Sequence, residues 1–126
     1  MRPFLDVNPA LKEMRKRYKL AVISNTDNDL IGKVMPSFDV TFDIVMTSEK
    51  AKAYKPAPSI YLGTLERVRA RPEEAMHVAR TQYDVFAAKE LGFKVAWVNR
   101  GNEELERRKP APDYIVGNLW GLLKFI

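Results

Sequence analysis

A chain of 126 residues fits one domain, and a hydrophobic share of 46% excludes a disordered tail or linker. Cysteine is absent, which excludes disulfides and thiolate-metal sites, and no stretch approaches a membrane span or a signal peptide, so a cytoplasmic protein is expected. The net charge of +5 is scattered along helical segments with acids interleaved, as in Glu103-Glu104-Leu105-Glu106-Arg107-Arg108, which is the pattern of a solvated surface; neither nucleic acid nor a membrane is expected as a partner.

The first helix is predicted after Asn8-Pro9, with Asn8 as its cap and Leu11, Met14 and Tyr18 on one face. Leu20-Ala21-Val22-Ile23 is a first apolar run, and a helix from about Asp27 to Met35 follows it. Ile44-Val45-Met46 is a second run, followed beyond Pro58 by a helix carrying Ile60, Leu62, Leu65 and Val68. Met76-His77-Val78-Ala79 is a third, and the helix after it runs from Asp84 to Leu91, ending at the natural terminator Gly92. Val95-Ala96-Trp97-Val98 and Tyr114-Ile115-Val116 are the last two runs, separated by a polar surface excursion from Asn99 to Pro112, and a short helix over residues 119–125 closes the chain. The runs lack period-two alternation, as strands buried on both faces of a parallel sheet do. Helix and strand alternate, so the expected fold is α/β: a mostly parallel sheet with helices on both faces, in one domain over residues 1–126.

Three polar sites stand where such strands end, the edge of an open α/β sheet at which ligands bind. They are Ser24-Asn25, Lys55 in Tyr-Lys-Pro-Ala-Pro, and Asp84. A hydroxyl and backbone N–H groups at a strand end suit an anionic oxygen, and the helix that follows Ser24-Asn25 adds its dipole. Lys55 precedes a proline, which biases its backbone to extended geometry and aims the ammonium. Each residue also has a structural reading. Ser24-Asn25 serves as a turn and cap, Lys55 as a surface cation, and Asp84 as the first acid of its helix. Arg80 reads as an anion contact at a strand end or as a surface cation. His77, the single histidine, reads as a structural imidazole in a strand, and Trp97 and Trp120 as core or interface residues.

The set Leu20–Asn25, Ala53–Pro58, His77–Ala79 with Tyr83-Asp84, and Gly92–Arg100 resembles the haloacid dehalogenase superfamily, most closely its type II 2-haloacid dehalogenases. Pro3–Val7 resembles the segment that returns from their helical cap into the core, so the likeness runs from Pro3 to the C-terminus. The resemblance implies a Rossmann-like core. It implies substrate-oxygen binding by Ser24 and Asn25, a cation at Lys55 that steadies the nucleophile and the developing charge, and a fourth-motif acid at Asp84. Family enzymes attack with an aspartate at the end of a first strand; phosphatase members add Mg²⁺, and the dehalogenases use no metal. No cofactor is therefore expected here, with Mg²⁺ only if the chain is phosphatase-like.

The sequence departs from that pattern. No apolar strand ending in Asp-X-(Asp or Tyr)-Gly-Thr is present. Asp6-Val7-Asn8 mimics it without a preceding strand, and Asp27-Asn28-Asp29 reads as a capping turn. Ala79-Arg80-Thr81-Gln82 replaces the usual serines and asparagine, and no cap is encoded. The resemblance implies that the absent strand would lie between the first and third runs. Open edges there invite pairing with another chain, since each buried unpaired backbone group costs roughly 1–3 kcal/mol. Direct closure of the two strands, a second copy, or a separate polypeptide would each answer this, and a homodimer is the expectation. Three functional readings follow: a truncated family member with an anion-binding pocket and no turnover of its own; an active hydrolase whose nucleophile comes from another chain or segment, or from an unusual acid such as Asp6 or Asp84; and a non-catalytic dimerisation or interaction module.

Overall fold

Among the described residues, five short strands form where the apolar runs predict them, and every pairing is parallel. The computed structural model describes residues 3–107 and 109–126. It divides the chain into two compact units, Met1–Arg69 and Ala70–Ile126.

The first unit begins with α1 (Val7–Arg15), which buries Ala10 and Met14, one helical turn apart. Asp6, and not Asn8, stands at its N-terminal boundary. The Asn8 side chain is drawn elsewhere: its amide donates to the Ser37 carbonyl at 3.1 Å and its oxygen accepts from the Asp39 N–H at 2.9 Å. Strand β1 (Ala21–Ser24) pairs with β2 (Ile44–Thr47), Ser24 opposite Thr47. Between them lies α2 (Asn28–Val34), capped by the Asp27 carboxylate on the Leu30 N–H, and continued by a 3₁₀ turn over Met35–Ser37. Two helices follow β2: the single-turn α3 (Ser48–Ala51) and α4 (Pro58–Val68). Pro58 opens α4 at a position that has no N–H partner in any case, and Ile60, Tyr61, Thr64 and Leu65 form its buried stripe. The first strand is as apolar as the others, yet none of its residues is buried. It has β2 on one side and no strand among the described residues on the other.

The second unit is built around β4 (Lys94–Val98), which lies between β3 (Met76–Ala79) and β5 (Tyr114–Val116). Val95 through Val98 are all buried, as a strand covered on both faces requires. On the edge strand β3, by contrast, Val78 is 41% exposed. Helix α5 (Gln82–Glu90) starts earlier than the sequence suggests, because the Thr81 hydroxyl caps it by accepting from the Asp84 N–H. Gly92 follows its end at φ +96, a left-handed conformation that costs glycine least. A single turn, α6 (Leu119–Leu122), and a 3₁₀ turn over Leu123–Phe125 close the chain. The excursion from Asn99 to Pro112 is irregular, with Arg108 outside the described residues. Among the described residues no helix is long and apolar enough to cross a membrane.

The same device sets two of the three parallel pairings among the described residues, β1 with β2 and β4 with β5. Asp43, just before β2, donates its N–H to the Leu20 carbonyl at 2.7 Å and accepts the Leu20 N–H on its side chain at 2.8 Å. Asp113, just before β5, does the same to Val95, at 2.8 and 2.7 Å. Each carboxylate also binds a cation from the helix that leads into the strand it holds: Arg15 of α1 grips Asp43 through both oxygens, and Lys89 of α5 reaches Asp113 at 3.0 Å. The Arg15 bonds and the Leu20 N–H hold the Asp43 carboxyl below its ordinary range. Burial pushes Asp113 up, but the Val95 N–H and the Lys89 ammonium outweigh it and leave it lowered.

These shifts fix a pH dependence. Both carboxyls titrate below the unfolded value of ~4, so the stability they contribute is present above that value and lost as pH falls through the folded one. Asp43→Asn and Asp113→Asn are each expected to flatten the fall in urea midpoint between about pH 5 and about pH 3. A variant as acid-sensitive as the parent would show that these carboxylates do not carry the dependence.

Candidate functional site

In the first unit, β1 delivers Ser24 to the sheet edge, and the chain turns through Asn25 and Thr26 into the Asp27 cap. That turn is tied to the start of α3. The Thr26 carbonyl accepts from the Ser48 hydroxyl at 2.9 Å. Asn28 binds both oxygens of Glu49, through its backbone N–H at 3.1 Å and its amide at 2.9 Å. The buried Thr47 hydroxyl donates to the Asn28 side-chain oxygen at 2.6 Å and accepts from the Lys50 N–H at 3.0 Å. Above this base, the Ser24 hydroxyl accepts from Thr26 at 3.1 Å. Asp27 therefore spends its carboxylate on a helix cap, as the sequence suggests. Helix α2 has only seven residues, so the dipole expected from the sequence is small and already met by Asp27.

Lys55 meets this turn directly. The Asn25 side-chain oxygen accepts the Lys55 N–H at 2.7 Å, and the Asn25 amide donates to the Lys55 carbonyl at 3.3 Å. Lys55 lies half-buried in a turn closed by the Ala57 N–H on the Tyr54 carbonyl at 2.8 Å, and its bond to Pro56 is cis. The first unit thus brings Ser24, Asn25 and Lys55 together. Their chemistry is that of a hydroxyl donor and an ammonium on two loops locked to each other, suited to holding an anionic oxygen.

The second unit carries Arg80 and Asp84 on the turn from β3 into α5. Arg80 is exposed, and its carbonyl accepts the Trp97 indole N–H at 2.9 Å. Trp97 itself is 1% exposed, a core residue, whereas Trp120 is 50% exposed. Asp84 is buried in the first turn of α5. Its neighbour is not legible from the chain order: His77 Nε2 stands 2.9 Å from Asp84 Oδ1, a charge contact once the imidazole is protonated, and the His77 ring meets the Phe93 ring edge-on at 5.9 Å. A strand residue and a helix residue seven positions apart share no period that would reveal them. The bracing residues Thr26, Asn28, Thr47, Ser48 and Glu49 were missed for the same reason. Among the described residues, no group of three or more His, Asp or Glu side chains converges as a metal site requires.

Parallel strands with helices between them define a Rossmann-like α/β core. The sequence profile of the haloacid dehalogenase-like hydrolases matches residues 1–98, and the chain belongs to that family. It is 31% identical over 119 residues to haloacetate dehalogenase H-2 of Moraxella sp. (strain B), covering 92% of this chain and 53% of that protein. It is 30% identical over 127 residues to a putative pyrophosphatase PpaX of Caldanaerobacter subterraneus, covering 96% of this chain and 57% of that protein. The crystal structure of a HAD phosphatase from Thermococcus onnurineus superposes with a TM-score of 0.85 at 32% identity, covering 97% of this chain and 57% of that one. An L-2-haloacid dehalogenase from Xanthobacter autotrophicus, with chloropropionic acid covalently bound, gives 0.87 at 26% identity, covering 98% of this chain and 60% of that one. The chain thus spans little more than half the length of these relatives.

The bracing under Ser24 is open to a direct test. Thr47→Val keeps the shape of the side chain and removes a hydroxyl that both donates and accepts in a buried position. A loss of about 1–3 kcal/mol is expected, read by urea denaturation. An unchanged midpoint would show that the Thr47–Asn28 contact supports nothing.

Proposed function

We propose that these 126 residues form the oxyanion-binding part of a hydrolase active site and do not turn over substrate by themselves. The observation that carries this is the direct Asn25–Lys55 contact, which joins a strand-end hydroxyl and a cation in one braced loop pair. The Ser24 hydroxyl, 3.1 Å from that of Thr26, can both donate and accept and so can meet a ligand oxygen, and the Lys55 ammonium supplies the charge. The ligand class is a small carboxylate or phosphate, in keeping with relatives named as dehalogenases and pyrophosphatases. Within the second unit, Arg80 is assigned as an anion contact and Asp84 as an acid. Mg²⁺ belongs to the phosphatase reading. Its carboxylate donors do not converge among the described residues, so the fit is poor and no step is derived through a metal.

A second reading is favoured by length. With little more than half of each relative matched, an attacking carboxylate from another segment or chain would complete a working hydrolase. The open side of β1 and the exposed Val78 of β3 also support a covered edge in the assembled protein, and a homodimer is the partner we assign.

Inorganic phosphate is expected to bind the purified chain. Lys55→Ala, which removes one charged partner worth about 1.5–3 kcal/mol, is expected to weaken binding by about tenfold or more. Incubation with 2-chloropropionate, or with a generic phosphate ester and Mg²⁺, is expected to give no product. Turnover that Lys55→Ala abolishes would establish the second reading. Light scattering is expected to give twice the 14.5 kDa chain mass; a protomer mass with one cooperative melt would overturn the dimer.

A further inference from the structure

Both polar ends of the Asn25 carboxamide are taken by one residue, thirty positions away, through its N–H and its C=O. A carboxamide has the donor and acceptor of a peptide group. Bonded at both ends, it replaces a missing strand partner and fixes the backbone it faces. We propose that Asn25 is a positioning residue that acts on a bound anion through Lys55 and does not contact the anion itself. This rests on the oxyanion-binding reading given above and assigns a different role to one of its residues.

The chain uses the same device elsewhere, where the task is plainly to fasten a loop. Asn8 grips Ser37 and Asp39 across about thirty residues. Gln82 donates to the Glu104 carbonyl at 2.8 Å and accepts the Glu106 N–H at 2.8 Å, holding the excursion after β4. Asn99 closes its own turn on the N–H and carbonyl of Glu103, both at 2.9 Å. The Asn25 contact has the geometry of these fasteners. It also acts at a point where fastening matters for chemistry, because the N–H and the C=O it holds flank the Cα from which the lysine side chain departs. Fixing those two groups fixes the direction in which the ammonium sets out. An ammonium aimed before binding loses less freedom when the anion arrives. One amide proton and one lone pair of Asn25 stay uncommitted by these two bonds, so contact with the anion is the competing role that the experiment must separate.

Two readouts do so. The first is amide hydrogen exchange at Lys55 by NMR, which needs no ligand. Asn25→Ala is expected to speed it by about tenfold, the loss of one hydrogen bond. Asn25→Asp keeps the acceptor and is expected to retain most of the protection, which covers the case in which the alanine variant folds poorly. The second is a double-mutant cycle on phosphate affinity. Asn25→Ala alone is expected to weaken binding several-fold. Combined with Lys55→Ala it is expected to weaken binding no further than Lys55→Ala alone. Unchanged exchange at Lys55 in Asn25→Ala, or losses that add in the double variant, would overturn the proposal. If the parent chain binds no phosphate, the oxyanion reading fails, and exchange at Lys55 alone then decides whether Asn25 holds the loop.

Discussion

A parallel strand pair has no hairpin to set its register, and here an aspartate at the strand entrance does the setting. Asp43 closes both polar groups of Leu20 and Asp113 closes both of Val95, each with its own N–H and its own carboxylate. The carboxylate is then anchored by a cation on the helix that leads into the held strand, so helix, loop and strand are fixed by one residue. The consequence reaches the far end of the sheet. With Leu20 locked to Asp43, Ser24 falls opposite Thr47. The turn after β1 thereby meets the turn after β2 in a register where Ser48, Glu49 and Asn28 can bond. A slip of one residue would send every side chain of β1 to the other face and would carry Ser24 away from this base.

Loops inherit that order through carboxamides. A turn that leaves a sheet edge has peptide groups with no ladder to join, and water is the usual partner. In this chain Asn8, Asn25, Gln82 and Asn99 stand in for the ladder. Each such contact is modest, about 0.5–1.5 kcal/mol net per bond. Their importance lies in direction: a planar group bonded at both ends permits one orientation. At Asn25 the fastened partner is a lysine, so a device for ordering loops becomes a device for aiming charge.

The sequence made the strands legible because apolar runs need no knowledge of their partners. Local caps were legible too: Asp27 bonds Leu30, three residues on, and Gly92 ends its helix by its own backbone freedom. What escaped was every interaction whose partner lies far along the chain. Asn8 before Pro9 reads as a cap, yet it bonds residues 37 and 39. Asp84, and not Thr81, reads in the sequence as the start of α5, since both residue types favour a helix start and only the backbone decides which is outside the helix. Of the candidate site, the ends of the apolar runs point to Ser24, Asn25 and Lys55, but the two bonds by which Asn25 meets the Lys55 main chain span thirty positions and leave no trace in the sequence. The contact of His77 with Asp84 was hidden by burial that no periodicity announces.

The exposed flank of β1 and the oxyanion-binding reading meet in one geometric fact. Strands that pair in parallel end at the same edge of a sheet. Any extended segment that completed β1 in the sense of its pairing with β2 would therefore deliver its last residue beside Ser24, next to the loop that Asn25 and Lys55 hold. Covering an edge that is costly to leave open and bringing a reactive group to a prepared anion site would then be a single event. On the proposed reading the two requirements would select the same partner: an apolar strand to match Val22 and Ile23, with a carboxylate at its C-terminal end. A partner that met only the first would stabilise the fold without chemistry. One that met only the second would have no means of holding its acid in line. On the proposed reading, structure and reactivity would depend on the same added strand.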